Sequence, residues 1–250
     1  MPAVKWKKFW TCRKRGTQSF HSSGLHNGVL FLTKPNSWKK NDSMKAIFTT
    51  AYWPPVACFA ALFPGGEWVV EQHEHYQKQT IRNRCSICGP NGTQWLIIPV
   101  IRNHGFKTPI REVMLDLSAN WQRVHWLAIE SAYRSSPYYE YYREEIRVFY
   151  THRKSMPLLE YNTAILKWCA EALETSISVS YTELYNKSYC ENDFRHHLPA
   201  YKAIPYYQVF ARKHGFVPEQ SILDLLMNEG PEAWKALEAK AKGEQEPQLR

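Results

Sequence analysis

The run Glu71-Gln72-His73-Glu74-His75-Tyr76-Gln77-Lys78-Gln79-Thr80-Ile81-Arg82-Asn83-Arg84 concentrates side chains able to do chemistry, with Ile81 its only aliphatic member. Three chemistries can be read from it. Continued as a strand, it would place Glu71, His73 and His75 on one face, a carboxylate and two imidazoles within reach of a metal, although no known metal-site pattern accompanies that spacing. Either histidine, with an ordinary pKa of about 6.5, could instead serve as general acid or base. Lys78, Arg82 and Arg84, with Asn83 among them, offer cations to a phosphate or carboxylate, because the guanidinium fork binds such groups through two hydrogen bonds. Against all three stands internal pairing of these cations with Glu71 and Glu74.

The elements that would position this run lie just before it. Lys45 to Ala51 reads as a first strand, Pro54-Pro55 as the start of a helix through Phe63, and Glu67 to Glu71 as the next strand. Strand, helix and strand in so short a stretch predict a βαβ unit, and ligands of parallel sheets bind beyond the carboxyl ends of the strands. Arg84 to Cys88 and Thr93 to Val100 flank Gly89-Pro90-Asn91-Gly92, a hairpin turn rather than a phosphate loop, since no Lys-Ser or Lys-Thr follows. Cys85 and Cys88 resemble half a zinc site but have no second pair, and along a strand they point to opposite faces.

Farther on, Val113 to Leu117 alternates as a half-buried strand, and Trp121, Val124, Ala128 and Ala132 form the stripe of a helix after Ser118. Tyr138, Tyr139, Tyr141 and Tyr142 occupy buried and rim positions of another helix. Leu158, Tyr161, Ile165, Trp168 and Ala172 make a longer stripe after Pro157. Ser221 and Asp224 form a capping-box pattern, and a last helix begins at Pro231. The expected class is α/β, with a mixed, partly parallel sheet, flanking helices and a mainly helical second half.

Charge is unevenly spread. Of a net +9, residues 1–43 hold nine Lys or Arg against the single Asp42, so the rest of the chain is nearly neutral and nucleic acid is not an expected partner. Residues 1–43 lack a core-forming pattern and read as an extension to the domain: a translated segment upstream of a start at Met44, a disordered basic arm or an unusual targeting segment. Residues 44–242 read as one domain and 243–250 as a disordered tail. The stretch from Trp53 to Phe63 is about half the roughly 20 residues of a membrane-spanning helix and contains two prolines, so no membrane span is expected. Six scattered cysteines fit a reducing, cytoplasmic setting. No triad order, nucleophile elbow or dinucleotide fingerprint appears, and the cofactor is left open.

Several blocks together resemble the WbqC-like protein family: Thr50 to Pro55, Glu71 through Cys85, Gly89 to Gly92 followed by Trp95 to Val100, Asn120-Trp121 with His125-Trp126, and Ser131-Ala132-Tyr133 with Ser135 to Tyr139. Tyr206 to Phe210, Lys213 to Phe216 and Ser221 to Gly230 complete the likeness, which spans residues 44 to 237. The resemblance implies a place in bacterial surface-polysaccharide (O-antigen type) biosynthesis, with a transferase role that attaches an amino-acid or acyl group to a sugar, and Lys78, Arg82 and Arg84 would suit a nucleotide- or phosphate-linked one. It also adds His125, Tyr133, Gln208, His214 and Asn228 to the candidate substrate-binding residues. A non-catalytic sugar- or nucleotide-binding or scaffold protein of a polysaccharide assembly complex is the competing reading.

Overall fold

The computed structural model of the protein describes residues 44–103, 107–151, 154–187 and 192–243. The expected extension over residues 1–43 and all but the first residue of the expected tail lie outside the described residues. The chain opens as β1 (Lys45–Phe48), α1 (Val56–Leu62) and β2 (Gly65–Val70), and β1 pairs with β2 in parallel, as the βαβ reading requires. β2 starts before Glu67 because its glycines allow close approach. A Cβ on Gly65 would stand 2.8 Å from that of Ser176, and one on Gly66 2.6 Å from the Met44 carbonyl.

Two strands of the second half complete this sheet. β7 (Ser176–Tyr181) adds to β2 and β8 (Asp193–Phe194) adds to β1, giving four parallel strands in the order β7-β2-β1-β8. Among the described residues, antiparallel ladders form two small pieces: the hairpin of β3 (Arg84–Gly89) with β4 (Gly92–Ile97), and β5 (Val100–Ile101) with β6 (Met114–Leu115). Gly89 lies opposite Gly92 across a turn of Pro90 and Asn91, as expected of the Gly-Pro-Asn-Gly run. The strand read over Val113 to Leu117 shrinks to two residues, although Val113 and Leu115 are buried.

Helices supply the rest: α2 (Trp121–Tyr133), α3 (Tyr139–Thr151), α4 (Leu158–Ala172), the short α5 (Ala211–His214), α6 (Ile222–Glu229) and α7 (Trp234–Gly243), the last entered through a 3-10 turn over Gly230–Ala233. One face of the sheet carries Phe48 stacked on Trp68 at 4.2 Å and on Phe194 at 5.3 Å, with Phe59 of α1 against Trp68 at 5.2 Å. α4 buries its whole expected stripe and also Asn162, Thr163, Leu166 and Cys169, so it is enclosed on most of its circumference. Trp168 meets Trp53 and Tyr142 edge-on at 5.7 and 5.6 Å, geometry that adds about 0.5–1.5 kcal/mol per pair beyond area burial. In α3, Tyr139 and Tyr142 are buried while Tyr141 is exposed, matching the buried-and-rim reading.

Two expectations need correction. α2 buries Trp121, His125, Ile129, Ala132 and Tyr133, and Val124 faces outward, because His125 finds polar partners inside that a helix-wheel reading cannot supply. The capping box of α6 does not form: Ser221 makes no side-chain cap, and the Asp224 carboxylate turns into the protein instead.

Gly230 ends α6 at φ 52°, and a Cβ there would land on the Tyr138 ring. Gly230→Ala therefore meets both backbone strain and a clash, and should destabilise the protein by about 2 kcal/mol or more in a urea titration. Gly92→Ala, at φ 93° with open space around the added methyl, should cost less.

Candidate functional site

The register of the parallel sheet aligns Phe48, Val70, Tyr181 and Phe194, so the residues that follow them, Thr49, Glu71, Thr182 and Arg195, fall in one row at the carboxyl edge. All four are buried. Glu71 has no exposed surface, and its carboxylate accepts from Arg195 Nη1 at 3.0 Å, Thr182 Oγ1 at 2.8 Å and the His73 backbone at 2.8 Å. Arg195 in turn holds both carboxylate oxygens of Asp193 and donates to the Lys187 carbonyl, with its guanidinium 5.3 Å from the Tyr185 ring centre. Such a buried charge is tolerable only because each donor and acceptor is engaged.

Beyond Val70 the chain leaves the sheet, so the condition for Glu71, His73 and His75 to share a strand face is not met. His75 is exposed and joins Pro109 through a backbone bridge. Among the described residues no group of three His, Cys, Asp or Glu gathers in a metal-binding arrangement. His73 is half-buried, and its Nε2 lies 3.2 Å from the Thr182 carbonyl. A carbonyl only accepts, so Nε2 carries the proton of the neutral ring and Nδ1 keeps its lone pair, the tautomer a general base needs.

Behind this edge lies a second buried pair. Arg82, 2 % exposed, grips both oxygens of Glu74 through Nε and Nη2, and Thr49 donates to the same carboxylate. The internal pairing weighed against anion binding is thus realised for Arg82 with Glu74, while the partner of Glu71 comes from 124 residues away. Asn162 of α4 donates to the Arg82 carbonyl at 2.8 Å and to Thr50 Oγ1 at 3.1 Å, fastening the block to the helix. Asn83 is buried and donates to the Ile98 carbonyl. Lys78 is exposed, and Arg84, half-buried, lies 4.9 Å over the exposed Trp95 ring, where a cation is attracted to the π face.

The middle and late candidates form two further clusters. His125 donates Nε2–H to the Ile97 carbonyl and accepts at Nδ1 from Tyr52; Tyr52 accepts from Tyr150, which accepts from Trp53 Nε1. Fixing both ends of this chain fixes every proton in it. Burial holds His125 down to a pKa of about 4, with the Ile97 bond opposing, and pushes the Tyr52 and Tyr150 hydroxyls up. Tyr133, Gln208 and Asn228 converge on Asp224. Its carboxylate accepts from Tyr133 at 2.8 Å, Tyr206 at 2.7 Å and Gln208 at 2.8 Å, and Asn228 donates to its backbone carbonyl. Burial raises the Asp224 pKa, and these hydrogen bonds oppose the shift. His214 is elsewhere again, bracing the hairpin tip through the Pro90 carbonyl at 3.0 Å. The thiols of Cys85 and Cys88 are pushed up by burial, Cys88 to about 11, as buried hairpin positions should be.

Residues 50–189, more than half of the chain, match the model of the WbqC-like protein family. The chain belongs to this family. A stretch of 94 residues is 30% identical to the uncharacterized protein Rv1507c of Mycobacterium tuberculosis (strain ATCC 25618 / H37Rv), covering 38% of this chain and 40% of that protein. The chain thus matches well under half the length of that relative. No solved structure matches it. The WbqC-like match takes in Glu71, Glu74, Arg82, Thr182, His125 and Tyr133, whereas Thr49, Asp193, Arg195, Gln208, His214, Asp224 and Asn228 lie outside residues 50–189. The sequence singles out neither Thr182 nor Thr49, and it offers Arg195 only as a neighbour of His196 and His197 in a polar cluster of the kind usually found at the surface, whereas Arg195 is buried. Only the strand register reveals that the three share a row, since each directly follows a strand of the sheet.

Arg195→Ala would leave two carboxylates without their cation, one fully buried, and should lower unfolding free energy by about 3–5 kcal/mol in chemical denaturation, with Arg195→Lys restoring only part. His125 contributes a separate pH dependence. The unfolded chain takes up its proton near pH 6.5 and the folded chain only near 4, so this stability is fully present above pH 6.5 and about 3 kcal/mol is lost as pH falls to 4. His125→Gln should flatten that part of the pH profile in urea titrations; an unchanged slope would show that another group titrates.

Proposed function

We propose that this WbqC-like protein is a transferase of bacterial surface-polysaccharide biosynthesis that moves an amino-acid or acyl group onto a nucleotide- or phosphate-linked sugar at the carboxyl edge of its parallel sheet. The observation that carries the reading is His73. It stands at the end of β2, where ligands of parallel sheets bind, with its neutral tautomer set by the Thr182 carbonyl and Nδ1 left basic. In this role His73 deprotonates the attacking amine or hydroxyl of the acceptor, and His75, exposed two residues on, is the neighbouring candidate for proton return. Glu71 holds the His73 backbone and acts as its positioning residue.

In this reading Lys78, exposed, and Arg84, half-buried, meet the phosphate, and the exposed Trp95 ring beside Arg84 offers an apolar face to a sugar. Arg82 fixes Glu74 through its side chain and accepts from Asn162 at its carbonyl, while Asn83 holds the Ile98 carbonyl. The full compensation of Arg82 and Arg195 by internal carboxylates favours the second reading, a non-catalytic sugar- or nucleotide-binding or scaffold protein, in which the rim residues supply affinity alone.

Thermal-shift screening against nucleotide sugars, sugar phosphates and acyl or aminoacyl donors should find a nucleotide sugar that raises the melting temperature, and Lys78→Ala with Arg84→Ala should weaken that shift. With the partner substrates identified in this way, His73→Gln should reduce kcat about 100-fold or more while KM and stability stay close to wild type. Turnover that survives the His73 change would remove the base assignment. Binding without turnover under any donor pairing would favour the binding protein.

A further inference from the structure

A small cavity lies where β1 and β2 end, beside the start of α1 and one face of α4. Thr49, Thr50, Pro54, Trp68, Val70 and Asn162 line it. Trp68 and Asn162 are each 1 % exposed, and Trp68 Nε1 and Asn162 Oδ1 find no hydrogen-bond partner among the described residues. Buried polar atoms of this kind are seldom left so, because desolvation without a compensating bond is costly. The orientation of the Asn162 amide is not in question: its nitrogen donates to the Arg82 carbonyl at 2.8 Å, and a carbonyl can only accept. Oδ1 is therefore the atom left over.

The two orphans define what belongs between them. An indole N–H only donates, and an amide oxygen only accepts, so the occupant must accept at one side and donate at the other. A metal cation would oppose the indole proton, a carboxylate could not donate to Oδ1, an ammonium could not accept, and a phosphate is too large for the space. A hydroxyl does both through a single oxygen. The space admits a group about the size of one water molecule, too small for a whole sugar ring and sufficient for one hydroxyl. Thr50 Oγ1, which accepts from Asn162, has its own proton to offer as a third bond.

We propose that this cavity is a binding site for one hydroxyl group, held between Trp68 Nε1 and Asn162 Oδ1. The hydroxyl belongs to an ordered water or to a carbohydrate substrate; the second source rests on the transferase or sugar-binding reading above, the first does not. Either way the site is wired to the candidate catalytic edge. Asn162 holds the Arg82 backbone, Arg82 holds Glu74, and Thr49, in the cavity wall, donates to the same Glu74 carboxylate. A substrate hydroxyl seated here would be sensed by the block that carries His73.

The test is a high-resolution crystal structure of the full chain, grown in plain buffer and again with UDP-glucose. In plain buffer one oxygen should lie roughly 2.7–3.2 Å from both Trp68 Nε1 and Asn162 Oδ1. With UDP-glucose, density continuous with the sugar assigns the hydroxyl to substrate, and an unchanged isolated oxygen assigns it to water. Trp68→Phe, which removes the donor and keeps an aromatic ring, should weaken occupancy roughly 3- to 10-fold, the loss expected for one hydrogen bond. As a check that does not depend on a variant folding, the Trp68 indole proton of the wild type should show an NMR cross-relaxation peak with long-lived water. A dry cavity, an ion in place of oxygen, or undiminished occupancy in Trp68→Phe overturns the proposal. Failure of UDP-glucose to bind bears on the sugar reading alone and leaves the plain-buffer result standing.

Discussion

A carboxylate buried at the end of β2 sets the terms for everything around it. Glu71 has no exposed surface, and ionised carboxylates survive such burial only with a cation and enough donors to replace their water. The cation comes from the residue after β8 and the hydroxyl from the residue after β7, so the two edge strands of the sheet are tied to its interior through one side chain. A slip of one residue in β7 or β8 would turn Thr182 or Arg195 to the opposite face and strand the charge. Register is thus specified here by polar pairing, in addition to the apolar packing of Phe48, Trp68 and Phe194 on the other face.

The same economy of charge separates the enclosed charges of this edge from the polar side chains that reach solvent. Arg82 and Arg195, the two most enclosed cations of the edge, are each matched by carboxylates at hydrogen-bond distance. Their pull on an anion is correspondingly reduced, whereas His73 and Arg84 are half-buried and His75 and Lys78 exposed. α4 is the buttress for this arrangement: an enclosed helix whose buried Asn162 is aimed at the backbone of Arg82.

Asp224 shows the other way to bury a carboxylate. Its donors are two tyrosine hydroxyls and a glutamine amide. Neutral donors compensate less than a guanidinium does, which is why burial still raises its pKa. What these bonds secure is the chain from Tyr206 to Val217, held at both ends by Gln208, which also donates to the Val217 carbonyl and accepts from its N–H. Tyr133, Gln208 and Asn228, three of the candidate residues of the sequence, are thereby explained together as the setting of one buried acid.

Local pattern alone was enough for β1, α1 and β2, for the β3–β4 turn and for the stripe of α4, because period, proline and glycine placement act over a few residues. It also located the polar block after β2. β7 was legible in principle, since Ser176-Ile177-Ser178-Val179-Ser180-Tyr181 alternates strictly, but two-residue β8 carries no periodic signal at all. The helix wheel misjudged α2 at His125, and the capping pattern misjudged Asp224, for the same reason: each polar side chain is buried by partners distant in sequence, Tyr52 and Ile97 in one case, Tyr133 and Tyr206 in the other. The sequence by itself determined where strands and helices could form and which stretch was rich in reactive groups. Only the tertiary structure decided which of those groups are neutralised inside and which remain at the rim, because that depends on parallel register bringing Thr49, Glu71, Thr182 and Arg195 into one row across a gap of more than a hundred residues.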